Sequence, residues 1–319
     1  FHFYIKINSK KEWNNLVKHY SNLDVEKWQK DGAVVIEGLF SPQEIQSVHN
    51  DIDKVFGYKK GGSPLTKNDG SPVTVEEQFL NFENIPFDCS PALNLIGVHP
   101  QLISLARDAL KTSDVRLYQS QAWAKFSGET DFEQSFHCDY GNHTLTVPSK
   151  KITQNSITFL MYFSDVTEEH GPAHYVTRTD SQKIDKISEK FLDNSSSISL
   201  QKLLAPYERT TAGVAGTIFA YGIDIFHRAT NITKPGAYRY AVTSCFKKGK
   251  NDTIGYTAWP FHQQKPWNII FENASPDQLS CFGVPLPGDP FWDHDTIRLA
   301  NLRYPGWDMT EYKMKRNFK

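Results

Sequence analysis

SFHCDYGNH (residues 135–143) is the stretch that decides which fold and which site are predicted for this 319-residue chain. A second stretch far along the chain completes the prediction: FHRATNITKPGAYRYAVTSCF (residues 226–246). In an extended strand, residues i and i+2 project to the same side, so the side chains of His137 and Asp139 can converge on one ion. His227 can supply a third ligand from a distant strand. The sequence therefore predicts a metal site formed by His137, Asp139 and His227.

The type of metal site follows from the number and kind of its ligands. Two histidines and one carboxylate on one face of a metal leave three positions open, which suits Fe(II) with a bidentate co-substrate and oxygen. A His-x-Asp pair alone is common, and a surface histidine beside an aspartate explains most of them. Arg239 strengthens the metal interpretation, because a guanidinium that projects into a barrel is costly without a partner. A dicarboxylate can be that partner through a bidentate fork, while a 2-oxo acid at its other end chelates iron.

Helical patterns dominate the first part of the chain. Residues 24–36 are predicted to form a short helix, with Asp24 as its N-cap and its end near Gly32, and then a strand. A second helix is expected over residues 41–56. Ser41 can cap it, and proline and glutamate follow at the positions typical of a helix start.

A third helix, over residues 100–111, precedes a change of pattern. Alternating polar and apolar residues then predict four strands, at residues 115–126, 157–166, 217–222 and 239–246. The second half of the chain is therefore expected to be mainly β.

We interpret residues 1–319 as a single domain with its core at about 24–250. Residues 58–74 are predicted to be a loop. Residues 178–205 are charged and serine-rich and indicate an inserted helix and loop, either a lid or a solvated excursion without a role. Residues 251–319 carry many aromatics and prolines and are expected to wrap the core as an irregular C-terminal segment.

Composition narrows the possible partners. The formal net charge is -1, which gives no indication of nucleic acid or an anionic membrane as a partner. No apolar run is long enough for a membrane-spanning helix, and the first residues lack the layout of a signal peptide. The four cysteines are scattered without a CxxC pair, which favours reduced thiols and a cytoplasmic location. The expected partner is a small-molecule substrate, with the chain a monomer or homodimer.

Several segments together resemble the phytanoyl-CoA dioxygenase family of Fe(II)/2-oxoglutarate-dependent oxygenases, over roughly residues 24–250. The resemblance is carried by WQKDGAVVIEGLFSPQEI (28–45), LYQSQAWAKFSG (117–128), SFHCD (135–139), FSDVTEEHGP (163–172) and FHRATNITKPGAYRYAVTSCF (226–246). It implies a mainly β fold, a double-stranded β-helix (jelly roll, cupin-like) with flanking N-terminal helices. It also implies Fe(II) as cofactor, with 2-oxoglutarate and O2 as co-substrates.

By the same resemblance, the reaction yields succinate and CO2 and oxidises an unactivated C–H bond of a small molecule. Hydroxylation, cyclisation, desaturation and epimerisation remain open as outcomes, and a role in specialised metabolism is a hypothesis. Halogenating relatives have a small residue where this chain has Asp139, so the aspartate argues for oxygenation. GPAHYVTRTD (171–180) departs from the family's usual Pro-Gly-Ser-His turn.

The resemblance places Gln119, Gln121 and Trp123 in the 2-oxoglutarate or substrate pocket, and the other pocket residues are predicted from their type and position in the chain. Besides Arg239, the predicted 2-oxoglutarate contacts are Gln121, Trp123 and Thr158. The predicted substrate contacts are Gln119, Tyr140, His143 and Arg178. Lys125 matches a frequent family lysine, and Trp259, Trp292 and Trp307 are further pocket candidates. Packing or a surface position is the alternative for each of these residues.

Two other classes of protein stay open at this point. One is a catalytically silent jelly-roll protein that binds metal or a small molecule, and the other is a cupin-like enzyme that does not use 2-oxoglutarate. His174 and His294 are alternative metal ligands that we do not favour, and His294 is expected in a surface loop. No zincin, nucleotide-binding or nucleophile-elbow motif occurs in the sequence.

Overall fold

The computed structural model describes residues 16–56, 82–127, 133–144, 147–149, 151–255 and 265–314. Within these ranges the helices are α1 (Asn22–Asp31), α2 (Pro42–Phe56), α3 (Pro91–Ile96), α4 (Pro100–Leu110), α5 (Tyr140–His143), α6 (Arg178–Ser181), α7 (Ile187–Asn194), α8 (Ile198–Leu204), α9 (Trp267–Asn273), α10 (Pro276–Cys281), α11 (His294–Arg303) and α12 (Thr310–Met314). The strands are β1 (Ala33–Ile36), β2 (Phe82–Asn84), β3 (Val115–Phe126), β4 (Ile157–Tyr162), β5 (Ala173–Val176), β6 (Arg209–Thr210), β7 (Ile218–Gly222), β8 (Phe226–Ala229) and β9 (Tyr238–Lys248).

The strands form two antiparallel sheets. The larger has six strands in the order β1-β7-β4-β9-β3-β2, and the smaller has three in the order β6-β5-β8. Neighbours in the larger sheet come from distant parts of the chain, so the first strand of the sequence pairs with β7. This arrangement confirms the prediction of a β-rich chain with flanking helices.

One face of the six-stranded sheet packs on the helices. Residues that alternate along β3, such as Ala122, Ala124 and Phe126, are at most 5% exposed and belong to the largest hydrophobic cluster. Trp28 of α1 and Ile52 of α2 join the same cluster. Burying side chains of this size stabilises the fold by roughly 1.5–3 kcal/mol each. The opposite face of the sheet is turned away from these helices, because successive strand residues point to opposite sides.

The ends of the N-terminal helices follow their capping residues. Helix α1 confirms the prediction of a short helix, but Asp24 is its third helical residue and not its N-cap. Ser21 is the N-cap, since its hydroxyl accepts a hydrogen bond from the backbone N–H of Asp24, and Asp24 accepts from the N–H of Ser21 in return. Gly32 ends the helix in the left-handed region, at φ 75°. Helix α2 begins as predicted, at a cap formed by Ser41.

The other predicted elements occur with small differences at their ends. Helix α4 and strand β3 match their predicted ranges. The strand predicted over 157–166 stops at Tyr162 because the chain bends there, and the hydroxyl of Ser164 accepts a hydrogen bond from the backbone of Tyr240. The predicted loop at 58–74 lies outside the described residues.

The C-terminal segment differs from its predicted irregular form. Where it is described it contains four helices, α9 to α12. Trp267 and Ile270 of α9, and Trp292 and Trp307 from the turns before and after α11, belong to the main hydrophobic cluster. These helices have five to ten residues, too few for a clear helical period in the sequence. Among the described residues, no helix is both long and apolar enough to cross a membrane.

Candidate metal centre

Backbone pairing brings the two predicted histidine ligands together. His227 lies in β8, and His137 lies opposite it in an isolated antiparallel bridge. Each backbone N–H donates to the other residue's carbonyl, at 3.0 and 2.9 Å. Side chains of directly opposed residues lie on the same face. The two imidazole rings accordingly have their centroids 4.4 Å apart.

Asp139 completes the cluster from the turn that follows His137. Its backbone is already helical, at φ -67° and ψ -18°, so the pair is not in one continuous strand as predicted from the sequence. The turn still aims the carboxylate at the histidines, and its Oδ1 lies 3.4 Å from Nε2 of His227. One ligand atom from each of the three residues lies within 4.8 Å of the others. Two imidazole nitrogens and one carboxylate oxygen at this spacing fit a single divalent ion.

The hydrogen bonds of the two imidazoles fix which nitrogen faces the cluster. Nδ1 of His137 lies 3.0 Å from the carbonyl oxygen of Ser135, and Nδ1 of His227 lies 2.9 Å from that of Ile225. A carbonyl only accepts, so each Nδ1 carries the proton and donates it. Each Nε2 is then left with its lone pair, which is the form of histidine that binds a metal.

The cluster's electrostatics favour a neutral His137 and an ionised Asp139. Burial would lower the pKa of His227, but the charge of Asp139 and the hydrogen bonds with Asp139 and Ile225 outweigh it and raise that pKa. Burial, reinforced by the neighbouring His227, lowers the pKa of His137 to about 4. Burial alone would raise the pKa of Asp139, but the charges of His227, His143 and His137 and the hydrogen bond with His227 outweigh it. The pKa of Asp139 therefore lies below its usual range. At neutral pH the cluster offers a neutral His137 and an ionised carboxylate, and metals bind these forms.

Arg239 lies in β9, opposite Lys125 of β3. Its guanidinium donates to the carbonyl of Gly171, and no carboxylate of the described residues lies within salt-bridge distance of it. Burial lowers the pKa of Arg239, against a smaller opposite effect of Tyr162. The Nζ of Lys125 donates to the carbonyl of Thr230 at 2.7 Å. A partly buried guanidinium without a carboxylate suits an acidic ligand, because charge-assisted pairs recover the desolvation cost.

The predicted cofactor-pocket residues share one face of the six-stranded sheet. Opposed residues in an antiparallel sheet carry their side chains on the same side. The registers between β2, β3, β9, β4 and β7 therefore place one set of side chains together, on the face opposite the helices: Gln119, Gln121, Trp123, Thr158, Tyr221 and Arg239. The structure thus brings Arg239, Gln119 and the predicted co-substrate contacts Gln121, Trp123 and Thr158 onto a single surface.

Side-chain contacts differ along this face. Gln119 donates to Gln121 at 2.7 Å, and Gln121 donates to Asn84 of β2 at 3.0 Å, so three amides form a chain. The indole of Trp123 donates to the hydroxyl of Thr243. Thr158 is 1% exposed, and its hydroxyl donates to the thiol of Cys245 at 3.4 Å. All of these contacts join uncharged groups, and they orient the side chains on this face.

Three predicted substrate contacts lie in different surroundings. Nδ1 of His143 lies 2.9 Å from the hydroxyl of Tyr118. Tyr140 is 7% exposed and packs on Phe191 of α7, with ring centroids 5.3 Å apart. The guanidinium of Arg178 forms a two-bond fork with the carboxylate of Asp224, at 2.7 and 3.0 Å. The charge of Arg178 is therefore paired within the protein.

The alternative ligand candidates lie outside the cluster. His174 bridges Glu208 and Glu168 in contacts of 2.7 and 3.1 Å, although it is in β5, next to β8. His294 is the first residue of α11, and not in a loop as predicted. Trp292 and Trp307 pack on Tyr312, each with ring centroids 4.9 Å away. Trp259 lies outside the described residues.

Tyr221 and Tyr118 are site residues that the sequence analysis missed. The phenol of Tyr221 donates to Oδ2 of Asp139 at 3.0 Å. Tyr118 is an extra residue in β3, since Leu117 pairs with Phe246 and Gln119 with the next residue along, so a bulge turns its ring toward His143. The alternation of β7 placed Tyr221 on a sheet face, but nothing local indicated a partner 82 residues away.

Comparison with known proteins gives one family. The sequence model of the phytanoyl-CoA dioxygenase family matches residues 28–239. No curated protein matches the chain.

Solved structures share its fold. EctD from S. alaskensis with bound Fe is 16% identical with a TM-score of 0.55, over 78% of this chain and 83% of that one. HygX from Streptomyces hygroscopicus, with nickel and 2-oxoglutarate bound, is 15% identical with a TM-score of 0.53, over 76% and 90%. The carbocyclase SnoK from nogalamycin biosynthesis is 18% identical with a TM-score of 0.53, over 74% and 85%.

Proposed function

The chain belongs to the phytanoyl-CoA dioxygenase family of Fe(II)/2-oxoglutarate-dependent oxygenases, and from this premise we propose that it oxidises an unactivated C–H bond of a small molecule. The enzyme class, an oxidoreductase that uses non-heme iron, 2-oxoglutarate and O2, follows from the family. One observation carries the proposal. The ligand atoms of His137, Asp139 and His227 lie within 4.8 Å of one another, beside a sheet face on which Arg239 has no carboxylate partner among the described residues.

We assign the ligand roles by chemistry. His137 and His227 present Nε2 lone pairs, and Asp139 presents one carboxylate oxygen, so together they hold Fe(II) on one face. Arg239 binds the distal carboxylate of 2-oxoglutarate through its fork. Gln121, Trp123 and Thr158 are proposed to line the same co-substrate pocket, which is supported by their position on the face of Arg239.

We propose four substrate contacts: Gln119, Tyr140, His143 and Arg178. The amide chain of Gln119, Gln121 and Asn84 offers hydrogen bonds without charge, so a neutral, hydrogen-bonding small molecule suits this face. His143 is proposed to reach the same substrate. Tyr140 and Arg178 also remain proposed substrate contacts, although each already has a partner in the protein.

Four wider features belong to the proposal. We propose that the six-stranded and three-stranded sheets are the two halves of a double-stranded β-helix within a single domain, and that residues 178–205 cover the metal site as a lid. Four buried free thiols support a cytoplasmic location. SnoK, which has the same fold, acts in nogalamycin biosynthesis. That title supports a proposed role of this chain in specialised metabolism.

In the proposed reaction, the protein's own residues would bind the metal and limit the access of water to it. With Fe(II) bound, O2 would be the oxidant and would take two electrons from 2-oxoglutarate, giving succinate and CO2, and two from the substrate C–H bond. The carboxylate of Asp139 offsets one of the two positive charges of the metal. Phe136, Tyr140 and Phe226 form an apolar cluster with the helices of residues 178–205 beside the ligand segment. We propose that this cluster limits the access of water to the metal site.

The test is succinate formation under aerobic conditions. The full chain with Fe(II) and 2-oxoglutarate should form succinate, faster in the presence of a neutral, hydroxyl-rich small molecule. His137→Ala should abolish it, because the remaining two ligands do not hold the metal. His174→Ala removes an imidazole outside the cluster and should retain the activity. If the wild-type chain binds Fe(II) but forms no succinate with a broad panel of small molecules, the chain is a binding protein instead.

A further inference from the structure

Tyr221 is placed to control how Asp139 binds a metal. The two oxygens of the Asp139 carboxylate have different neighbours. Oδ1 lies 3.4 Å from Nε2 of His227, on the side of the ligand cluster, whereas Oδ2 accepts a hydrogen bond of 3.0 Å from the phenol of Tyr221. A carboxylate oxygen that already accepts a hydrogen bond is a poorer metal ligand than the other oxygen of the same carboxylate, which accepts none. Oδ1 is therefore the oxygen available to a metal, whereas Oδ2 is held by a hydrogen bond within the protein.

The ring of Tyr221 is held firmly in this position. It stacks on Phe219 with centroids 4.6 Å apart and an interplanar angle of 15°, and it contacts the ring of His227 at 4.7 Å. Tyr221 is 5% exposed and lies in β7, between β1 and β4 of the six-stranded sheet. A carboxylate oxygen only accepts, so the phenol of Tyr221 is the donor in its contact with Asp139.

We propose that Tyr221 is a positioning residue that makes Asp139 a monodentate metal ligand through Oδ1. This inference rests on the proposed metal site of His137, Asp139 and His227. Partners of this kind orient a ligand and tune its affinity for the metal, and losing one typically weakens binding roughly 10- to 100-fold. Without the phenol, Oδ2 becomes free to bind the metal and the carboxylate to rotate.

The experiment is anaerobic titration of the full chain with Co²⁺, followed by the d–d absorption of the bound ion. Tyr221→Phe keeps the stacked ring and removes only the hydroxyl. We expect Co²⁺ to bind the variant roughly 10- to 100-fold more weakly, with a changed absorption band because the coordination number changes. Tyr175→Phe is the matched control, since the ring of Tyr175 packs at a tilt on the same Phe219, with centroids 4.7 Å apart, and its hydroxyl forms no hydrogen bond with Asp139. It should behave as wild type.

The outcomes separate the two proposals. If Tyr221→Phe binds Co²⁺ with the wild-type affinity and the wild-type band, Tyr221 has no positioning role, while the metal site stands. If the wild-type chain and His137→Ala fail alike to bind Co²⁺, the proposed metal site itself is overturned. The melting temperature of the metal-free chain checks folding, and we expect Tyr221→Phe to match Tyr175→Phe. A variant that melts lower yet binds Co²⁺ with the wild-type band would also overturn the positioning role.

Discussion

At the scale of single residues, the site combines groups that are costly alone and favourable together. His137 and His227 each donate from Nδ1 to a backbone carbonyl, and Asp139 takes a hydrogen bond from Tyr221 on one oxygen. These contacts fix the tautomers of both histidines and the orientation of the Asp139 carboxylate before any metal binds. Metal binding therefore costs little conformational entropy at these side chains. The guanidinium of Arg239 differs, because among the described residues the carbonyl of Gly171 is its only hydrogen-bond partner.

Replacing Arg239 with leucine tests that difference. Arg239→Leu should raise the 2-oxoglutarate concentration needed for half-maximal succinate formation at least about 30-fold, because truncating one partner of a buried charged pair costs about 2–5 kcal/mol. The fold should persist, since the change removes a charge that the protein does not neutralise. The measurement is succinate formation against 2-oxoglutarate concentration.

Arg228→Leu is the matched control for this experiment. Arg228 lies in β8, next to His227, and its guanidinium pairs with Glu208 and Glu133 at 2.6 and 2.7 Å. That arginine already has its carboxylates, so its loss should leave the 2-oxoglutarate requirement unchanged. An equal requirement in Arg239→Leu and the wild type would remove Arg239 from the co-substrate site.

At the scale of elements, the partly buried carboxylate of Glu44 connects helix α2 with helix α4. Glu44 accepts from the backbone and hydroxyl of Ser41, and its other oxygen lies 3.0 Å from Nε2 of His99, the N-cap of α4. Burial would raise the pKa of Glu44, but the contacts with His99 and Ser41 outweigh it and lower the pKa to about 2. One carboxylate thus caps one helix and binds the start of another.

The lowered pKa of Glu44 sets a pH dependence of stability. Its stabilisation is fully present above the ordinary glutamate pKa of about 4.5, and it is lost as the pH falls from there toward 2. At pH 7, Glu44→Gln should lower the free energy of unfolding by about 1–3 kcal/mol, and the gap should narrow below about pH 4.5. Urea unfolding across pH measures it. The exposed Glu37→Gln is the control, and a gap that stayed constant with pH would contradict the linkage.

Helix α8 holds the segment that carries His137. The side-chain amide of Gln201 accepts from the backbone N–H of Phe136 at 2.7 Å and donates to its carbonyl at 3.2 Å. The same amide donates to the carbonyl of Ser195 at 2.9 Å. The insertion of residues 178–205 is therefore attached to the residue next to a proposed metal ligand.

Gln201→Leu should loosen that segment. The backbone groups of the buried Phe136 lose their partner, which costs about 1–3 kcal/mol of stability, and Co²⁺ affinity should fall with it because His137 is adjacent. Chemical denaturation and Co²⁺ titration measure the two effects. Lys202→Leu, at the neighbouring exposed position of the same helix, should change neither. Unchanged Co²⁺ binding in a destabilised Gln201→Leu would limit α8 to a structural role.

The elements also show how far the sequence could predict this molecule. Capping residues located α2, apolar residues at helical spacing located α4 and alternation located β3, because these signals are local. The grouping of His137, Asp139 and His227 was predictable from the His-x-Asp spacing and the family resemblance, and the structure brings the three side chains together. Tyr118 was not predictable, because a bulge reverses the alternation on which the prediction relied. The C-terminal helices were missed because each is short and stabilised by packing, which no window of sequence contains.

At the scale of the whole molecule, side chains of the larger sheet reach the chain around the smaller one. Lys125 and Arg239 donate to the carbonyls of Thr230 and Gly171, which lie just after β8 and just before β5. The hydroxyl of Tyr162 accepts from the backbone of Ala173. A metal bound by the three ligands would add a further link, because Asp139 and His227 are separated by 227 − 139 = 88 positions in the sequence.

Metal binding should therefore stabilise the entire fold and not only the site. A ligand at about 100 times its Kd adds about 2.7 kcal/mol to the free energy of unfolding, which raises the Tm of a chain of this size by a few degrees. We expect Fe(II) under anaerobic conditions to raise the Tm of the wild type, and a chelator to reverse the shift. His227→Ala should melt at the same temperature with and without metal, whereas His174→Ala should keep the shift. An equal shift in His227→Ala would mean that the metal stabilises the chain elsewhere, because that variant loses the ligand that joins β8 to the His137 segment.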